Sequence, residues 1–275
     1  MTQNLALMFN LKWNPFATEI PLQSLLVTAR VDSFFWRIEN HMLRHGGFAL
    51  IEGEPGAGKS VVMRQLATRL ADRDDIIVAA LTHASSRLAD FYREMGEMFG
   101  IQLSMHNRWG GFKALRERWF DHVEATRLRP LLLIDEAQEL PTAVFSELRL
   151  LAAADFDSRA ILSVVFAGDN RLKSRLRTPE LLPVASRIRH RFIMEVASAD
   201  ELAALLEHLL SEAGNPSLMT PQVKQALCMH AGGNRRHLAV IGDMLLTAAV
   251  QQQREHIDEA LFHQVFGDNT RRASP

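Results

Sequence analysis

The chain has 275 residues, with 31 Lys and Arg against 32 Asp and Glu, a formal net charge of −1, and 47% hydrophobic residues. That length supports one to two domains with a sizeable core, and the balanced charge excludes wholesale electrostatic attraction to nucleic acid. No apolar run nears the ~18–20 residues of a membrane span, the start lacks the pattern of a signal peptide, and one cysteine, Cys228, precludes an intrachain disulfide, so a cytoplasmic protein is expected.

Residues 1–27, punctuated by Pro15 and Pro21, read as an extended lead-in, and a helix is expected around 28–45. Gly47-Phe48-Ala49-Leu50-Ile51-Glu52 is an apolar strand. It runs into Gly53-Glu54-Pro55-Gly56-Ala57-Gly58-Lys59-Ser60, which fills the pattern GxxxxGK[ST] in full. Behind it Val61, Val62, Leu66, Ala67 and Leu70 recur at helical spacing. Strand, glycine-rich loop and helix together make a device for holding triphosphate. The glycines turn backbone N–H groups onto the β-phosphate, Lys59 reaches the β- and γ-phosphates, and Ser60 offers a hydroxyl to Mg²⁺. The helix N-terminus faces the anion. Gly53 through Val61 are the expected ATP-contacting residues.

Further strands are expected at 76–81, 131–134, 161–167 and 192–196, with helices at 86–99, 110–127 and 142–153. Strands alternating with helices predict an α/β fold whose parallel sheet is covered on both faces. From Ser198 the pattern is helical alone, at 198–213, 220–231, 234–253 and 258–266. An ATPase core over 28–196, a small all-α lid over 197–267 and a flexible tail at 268–275 are expected.

Leu131-Leu132-Leu133-Ile134-Asp135-Glu136 is a buried strand with two carboxylates at its end, where open α/β sheets bind ligands. Asp135 would hold Mg²⁺ and Glu136 would deprotonate the attacking water. The plain alternative is a pair of acids capping the next helix. Three further groups could supply polar or cationic help to the γ-phosphate. Asp169-Asn170 ends a strand beside the acidic one, as a water-holding carboxamide or as a simple turn. Ser186-Arg187 could project an arginine into a neighbouring subunit, or be a solvated charge. Gly232-Gly233-Asn234-Arg235-Arg236 opens a helix from which Arg236 could fold over the phosphates, or remain exposed.

Taken in order, these motifs resemble the AAA+ ATPases. Phe9-Asn10-Leu11-Lys12-Trp13-Asn14-Pro15-Phe16 and Phe166-Ala167-Gly168-Asp169-Asn170-Arg171-Leu172 are similar to segments of the ExeA/GspA-type branch. The resemblance implies Lys59, Ser60, Asp135 and Glu136 as phosphate, magnesium and catalytic residues. It further implies Asn170 or Asp169 as sensor 1, Arg187 as a finger acting in trans, and Arg236 (or Arg235) as sensor 2. It also implies a homo-oligomer, either ring or helical filament, with ATP at subunit interfaces.

Two roles are consistent with such an ATPase. One is assembly on duplex DNA to recruit a transposase, similar in role to the MuB, TnsC, TniB and IstB proteins. It is the favoured expectation, because the chain ends without the membrane and wall-binding parts of full-length ExeA-type proteins. The alternative is a secretion-associated or other protein-directed ATPase. No base-reading motif is present, so DNA contacts would rest on phosphates. Their candidates are Arg171, Lys173 and Arg175, in a stretch to Arg191 with seven basic residues and one acid, and the loop from His106 with Arg108 and Lys113. Trp109 and Phe112 could equally open an amphipathic helix with those cations solvated.

Overall fold

The computed structural model describes residues 8–81, 83–85, 87–102 and 107–267. The expected tail at 268–275, the first seven residues of the lead-in and His106 lie outside the described residues. The chain divides into two compact units. One comprises Val27–Pro55 and Lys59–Met194. The other gathers the described residues up to Leu26, the tripeptide Gly56–Gly58 and the residues from Glu195 onward. Among the described residues no helix is long and apolar enough to cross a membrane.

The first unit opens with α1 (Ala29–Arg37), whose N-terminal N–H of Val31 is accepted by the Thr28 side chain. A π turn (Ile38–Met42) and one helical turn (Leu43–His45) carry it to β1 (Gly47–Gly53). Then follow α2 (Lys59–Ala71), β2 (Val78–Leu81), α3 (Leu88–Phe99), α4 (Arg108–Thr126) and β3 (Leu131–Ile134). A 3₁₀ turn (Ala137–Glu139) leads to α5 (Thr142–Ala152) and a short hairpin of two-residue strands, β4 (Ala153–Ala154) and β5 (Arg159–Ala160). The unit closes with β6 (Ser163–Gly168), α6 (Asn170–Arg175), α7 (Leu182–Ala185) and β7 (Ile188–Met194).

Five strands form one parallel sheet in the order β2-β3-β6-β1-β7. Successive strand residues face opposite sides, and both sides are buried. Phe48, Leu50, Leu132, Ile134, Val164 and Phe166 pack with residues of α3, α4 and α5. Ala49, Ile51, Leu131, Leu133, Val165 and Ala167 pack with residues of α1 and α2. Each fully buried aliphatic side chain there contributes about 1.5–3 kcal/mol. The expected parallel sheet between helical layers is the observed one.

β7 corrects the expected strand at 192–196, since it begins four residues earlier at Ile188 and ends at Met194. It is an edge strand bonded to β1 alone, so Arg189 and Arg191 point to solvent and break the apolar run that marks a central strand.

Among the described residues of the second unit, four helices carry side-chain caps. Ser198 and Glu201 form a capping box for α8 (Ala199–Ala213). Thr220, Asn234 and Asp258 cap α9 (Pro221–Ala231), α10 (Arg235–Gln251) and α11 (Glu259–Phe266). Leu202, Leu206, Leu227, Leu238, Leu245 and Leu261 form its core together with Phe9, Leu11 and Phe16. The lead-in therefore belongs to this core. Lys12 N–H donates to the Ala213 carbonyl at 2.8 Å, and the Asn14 amide donates to Asp243 at 2.7 Å.

Candidate active site

Sheet order decides what meets at the carboxyl ends of the strands. β6 lies between β1 and β3, so the loop after β1, the acids after β3 and the polar end of β6 come from three adjacent strands. Gly56 (φ 84°) and Gly58 (φ 101°) take left-handed backbone that disfavours any side chain, and so let the loop curl into α2. Lys59 begins α2 and is 6% exposed, and its ammonium donates to the carbonyls of Gly53 at 2.9 Å and Glu54 at 3.2 Å. A buried ammonium bent over its own loop suits a tight anion contact. Ser60 follows on the first turn of the same helix.

Asp135 leaves β3 and accepts the backbone N–H of Glu136 at 2.9 Å. Glu136 is exposed and sits at φ 49°, a left-handed conformation that costs a non-glycine residue on the order of 1–3 kcal/mol. The helix these acids were weighed as capping begins only at Thr142, with Pro141 at its N-cap. Asp169 caps α6 through the N–H of Arg171 and pairs with the Arg171 guanidinium at 2.8 Å. Burial pulls its carboxyl pKa upward, but the hydrogen bonds from Arg171 and the charges of Arg171 and Lys59 outweigh it. The group ends below the usual carboxylate value. Asn170, one residue further, is exposed and donates its amide to the Glu54 carboxylate of the loop.

Sequence reasoning missed Gln138, two residues beyond Glu136 on the 3₁₀ turn. It is 6% exposed, donates to the Glu136 carboxylate and accepts the N–H of Asp169 at 3.3 Å. The signal was the run Asp135-Glu136-Ala137-Gln138, which puts an amide within reach of the second acid once the strand ends in a tight turn.

Arg187 stands elsewhere. It immediately precedes β7, and β7 runs parallel to β1 with Ile188 opposite Phe48 and Met194 opposite Gly53. Arg187 thus lies at the end of the sheet where strands begin, six residues of strand or about 20 Å from its own loop. It is paired with Asp157 beyond the hairpin strand β4.

In the helical unit the Arg235 guanidinium donates to the Ala57 carbonyl at 3.1 Å and lies near Glu201 at 3.8 Å. The Arg236 backbone N–H is shared between the Gly56 carbonyl at 3.1 Å and the Asn234 side chain at 3.0 Å, while its side chain is exposed.

Of the five basic residues expected to touch DNA, Arg108, Arg171 and Arg175 are paired or stacked within the protein and Lys113 and Lys173 are exposed. Arg171 bonds Asp169 and Glu139, and Arg175 stacks on Phe145 and donates to the Gln138 carbonyl. Arg191 pairs with Glu52 at 2.9 Å. Arg108 pairs with buried Glu147, which also takes the Tyr92 hydroxyl; burial and then that carboxylate push the Tyr92 phenol well above its ordinary value. Trp109 stacks on Phe112, centroids 5.7 Å apart, in the first turns of α4, but Trp109 is exposed and Arg108 is paired with Glu147, so the alternative of an amphipathic helix with solvated cations holds only for Lys113.

A family model described as an AAA domain matches residues 41–176. General secretion pathway protein A of Aeromonas hydrophila is 30% identical over 245 residues, covering 88% of this chain and 44% of that protein. The chain thus spans less than half the length of this curated relative. Among solved structures, Cdc6p from Pyrobaculum aerophilum has a TM-score of 0.71 at 17% identity, covering 95% of this chain and 74% of that one. ORC2 from Aeropyrum pernix has a TM-score of 0.72 at 16% identity, with the same coverage. Domain III of the replication initiation protein DnaA from Thermotoga maritima reaches 0.60 at 15% identity over 92% of this chain and 97% of that one. At such identities the likeness concerns the fold.

Proposed function

We propose, from the premise that this chain is an AAA domain protein related to general secretion pathway protein A, that it hydrolyses ATP and uses the cycle to drive assembly of a protein partner. The observation that carries the reading is the gathering of Lys59, Ser60, Asp135, Glu136 and Asp169 at the ends of three adjacent strands. Backbone N–H groups of the loop and Lys59 hold the phosphates. Glu136 takes the proton from the attacking water, and Asp169 with Asn170 orients it. The donor set suits Mg²⁺, because Ser60 and Asp135 offer hard oxygen ligands; bound there, the ion supplies positive charge to the phosphates. Arg236 is the lid arginine, since Arg235 is already engaged on the Ala57 carbonyl. Arg187 is the finger for a neighbouring copy in a homo-oligomer.

The secretion-side reading displaces the transposition reading on two grounds. The 30% identical relative is a secretion-pathway protein. Within the local basic stretch, which suggested a phosphate-binding surface, Arg171, Arg175, Arg187 and Arg191 are paired or stacked, while Lys173, Arg177 and Arg189 are exposed. DNA and a transposase are accordingly no part of the proposal. Phosphate release and light scattering on purified protein test it. Turnover and ATP-dependent assembly should be unchanged by random-sequence duplex from low to physiological salt. A nucleotide-dependent duplex complex that weakens steeply with salt would restore the transposition reading.

A further inference from the structure

Gln138 is a buried amide with both ends in use. Its oxygen accepts the N–H of Asp169 at 3.3 Å, and its nitrogen donates to the Glu136 carboxylate. The partners fix which end is which. A backbone N–H can meet only an acceptor, and an ionised carboxylate only a donor, so the amide cannot be flipped without losing both bonds. Its surroundings leave little play. A Cβ on Gly168 would come within 2.8 Å of the Gln138 Oε1 and 2.6 Å of Leu172 Cδ2, so the glycine admits the amide to the strand end. Arg175, stacked on Phe145, donates to the Gln138 carbonyl and clamps the turn from the other side.

We propose that Gln138 is a positioning residue for hydrolysis: it holds the Glu136 carboxylate by its NH₂ and ties that carboxylate to the end of β6. The inference rests on the reading of Glu136 as the base. Glu136 is otherwise exposed on strained backbone, so its side chain needs an external hold to keep one orientation. The hold runs to the residue whose neighbour is Asn170 and whose carboxylate feels Lys59. A shift of the β6 end, when phosphate charge arrives beside Lys59 or leaves it, is thereby transmitted to Glu136 through one side chain.

Gln138→Glu and Gln138→Met separate this role from a merely structural one. Gln138→Glu keeps an acceptor for the Asp169 N–H but sets a carboxylate against Glu136. Gln138→Met keeps volume and removes both bonds. Gln138→Glu should remain folded with a melting temperature lowered by the carboxylate set beside Glu136, bind a fluorescent ATP analogue within about threefold of normal, and lose 10-fold or more in kcat. In a Glu136→Gln background the same change should leave the residual rate unaltered, because Gln138 acts through Glu136. Hydrogen exchange needs no turnover: the Asp169 amide should stay protected in Gln138→Glu and lose protection in Gln138→Met. A kcat within twofold of normal in Gln138→Glu, a parallel loss of nucleotide affinity, or unchanged Asp169 protection in Gln138→Met would each overturn the proposal. If instead Glu136→Gln hydrolyses ATP at the normal rate, the reading of Glu136 as base fails, and with it the residue through which Gln138 is said to act.

Discussion

At the scale of single residues the site separates holding from cleaving. Lys59 is buried against loop carbonyls, whereas Glu136 is exposed and held through its carboxylate and its own backbone. Removing each should therefore fail differently. Lys59→Ala deletes the charge that meets the phosphates, so affinity for a fluorescent ATP analogue should fall at least tenfold. Glu136→Gln keeps shape and loses the base, so binding should persist while phosphate release drops about 10²-fold or more. Equal binding losses in the two variants would mean that Glu136 contacts nucleotide rather than water. The residues that could be named from the chain were those whose chemistry forces a local pattern, such as the glycine–lysine loop. Gln138 could not, because its importance comes from β6 meeting β3, a contact between residues 138 and 169 that no local spacing announces. The same blindness affected Arg171 and Arg175, which read as free cations until Glu139, Asp169 and Phe145 are placed beside them.

At the scale of elements, legibility followed burial. β1 and β3 are buried on both faces and stand out as unbroken apolar runs, and α8 to α11 carry side-chain caps at their starts. The edge strand β7 and the six-residue α6 were hidden, the first by alternating arginines and the second inside an Asp-Asn turn signal. The edge carries a titratable contact of its own. His190 of β7 meets His41 of the π turn, Nε2 to Nδ1, at 3.2 Å. Burial first, then the charges of His41, Arg37 and Arg189, hold the His190 pKa below the ordinary histidine value of about 6.5. His122 on α4 is lowered likewise, by burial and Arg118. A base whose folded pKa is depressed binds fewer protons in the native state than in the unfolded one. Stability is then complete above the unfolded value and declines as pH falls from about 6.5 through the folded values. The melting temperature should drop between pH 7.5 and 5.5, and His190→Asn should flatten part of that slope, leaving the His122 share. A slope unchanged by His190→Asn would show that this contact does not feel proton uptake.

For the whole molecule the question is whether one subunit is sufficient. Within its own sheet Arg187 stands about 20 Å from the phosphate loop, at the end where β7 begins, and Asp157 holds its guanidinium. It cannot serve that loop, yet a residue preceding an edge strand is well placed to face a neighbouring copy. Activity per subunit should then rise with protein concentration. Arg187→Ala should lower kcat by on the order of 10³-fold, the usual worth of a trans-acting arginine. Asp157→Ala, which frees the guanidinium, should not lower it. Mixing distinguishes a shared site from a damaged fold. Arg187→Ala subunits retain Glu136, and Glu136→Gln subunits retain Arg187, so a mixed interface joins an intact base to an intact finger. Phosphate release from an equal mixture should exceed the sum of the two variants measured alone. Rates independent of concentration, with no recovery on mixing, would make the protein a monomeric switch and leave Arg187 as a structural partner of Asp157.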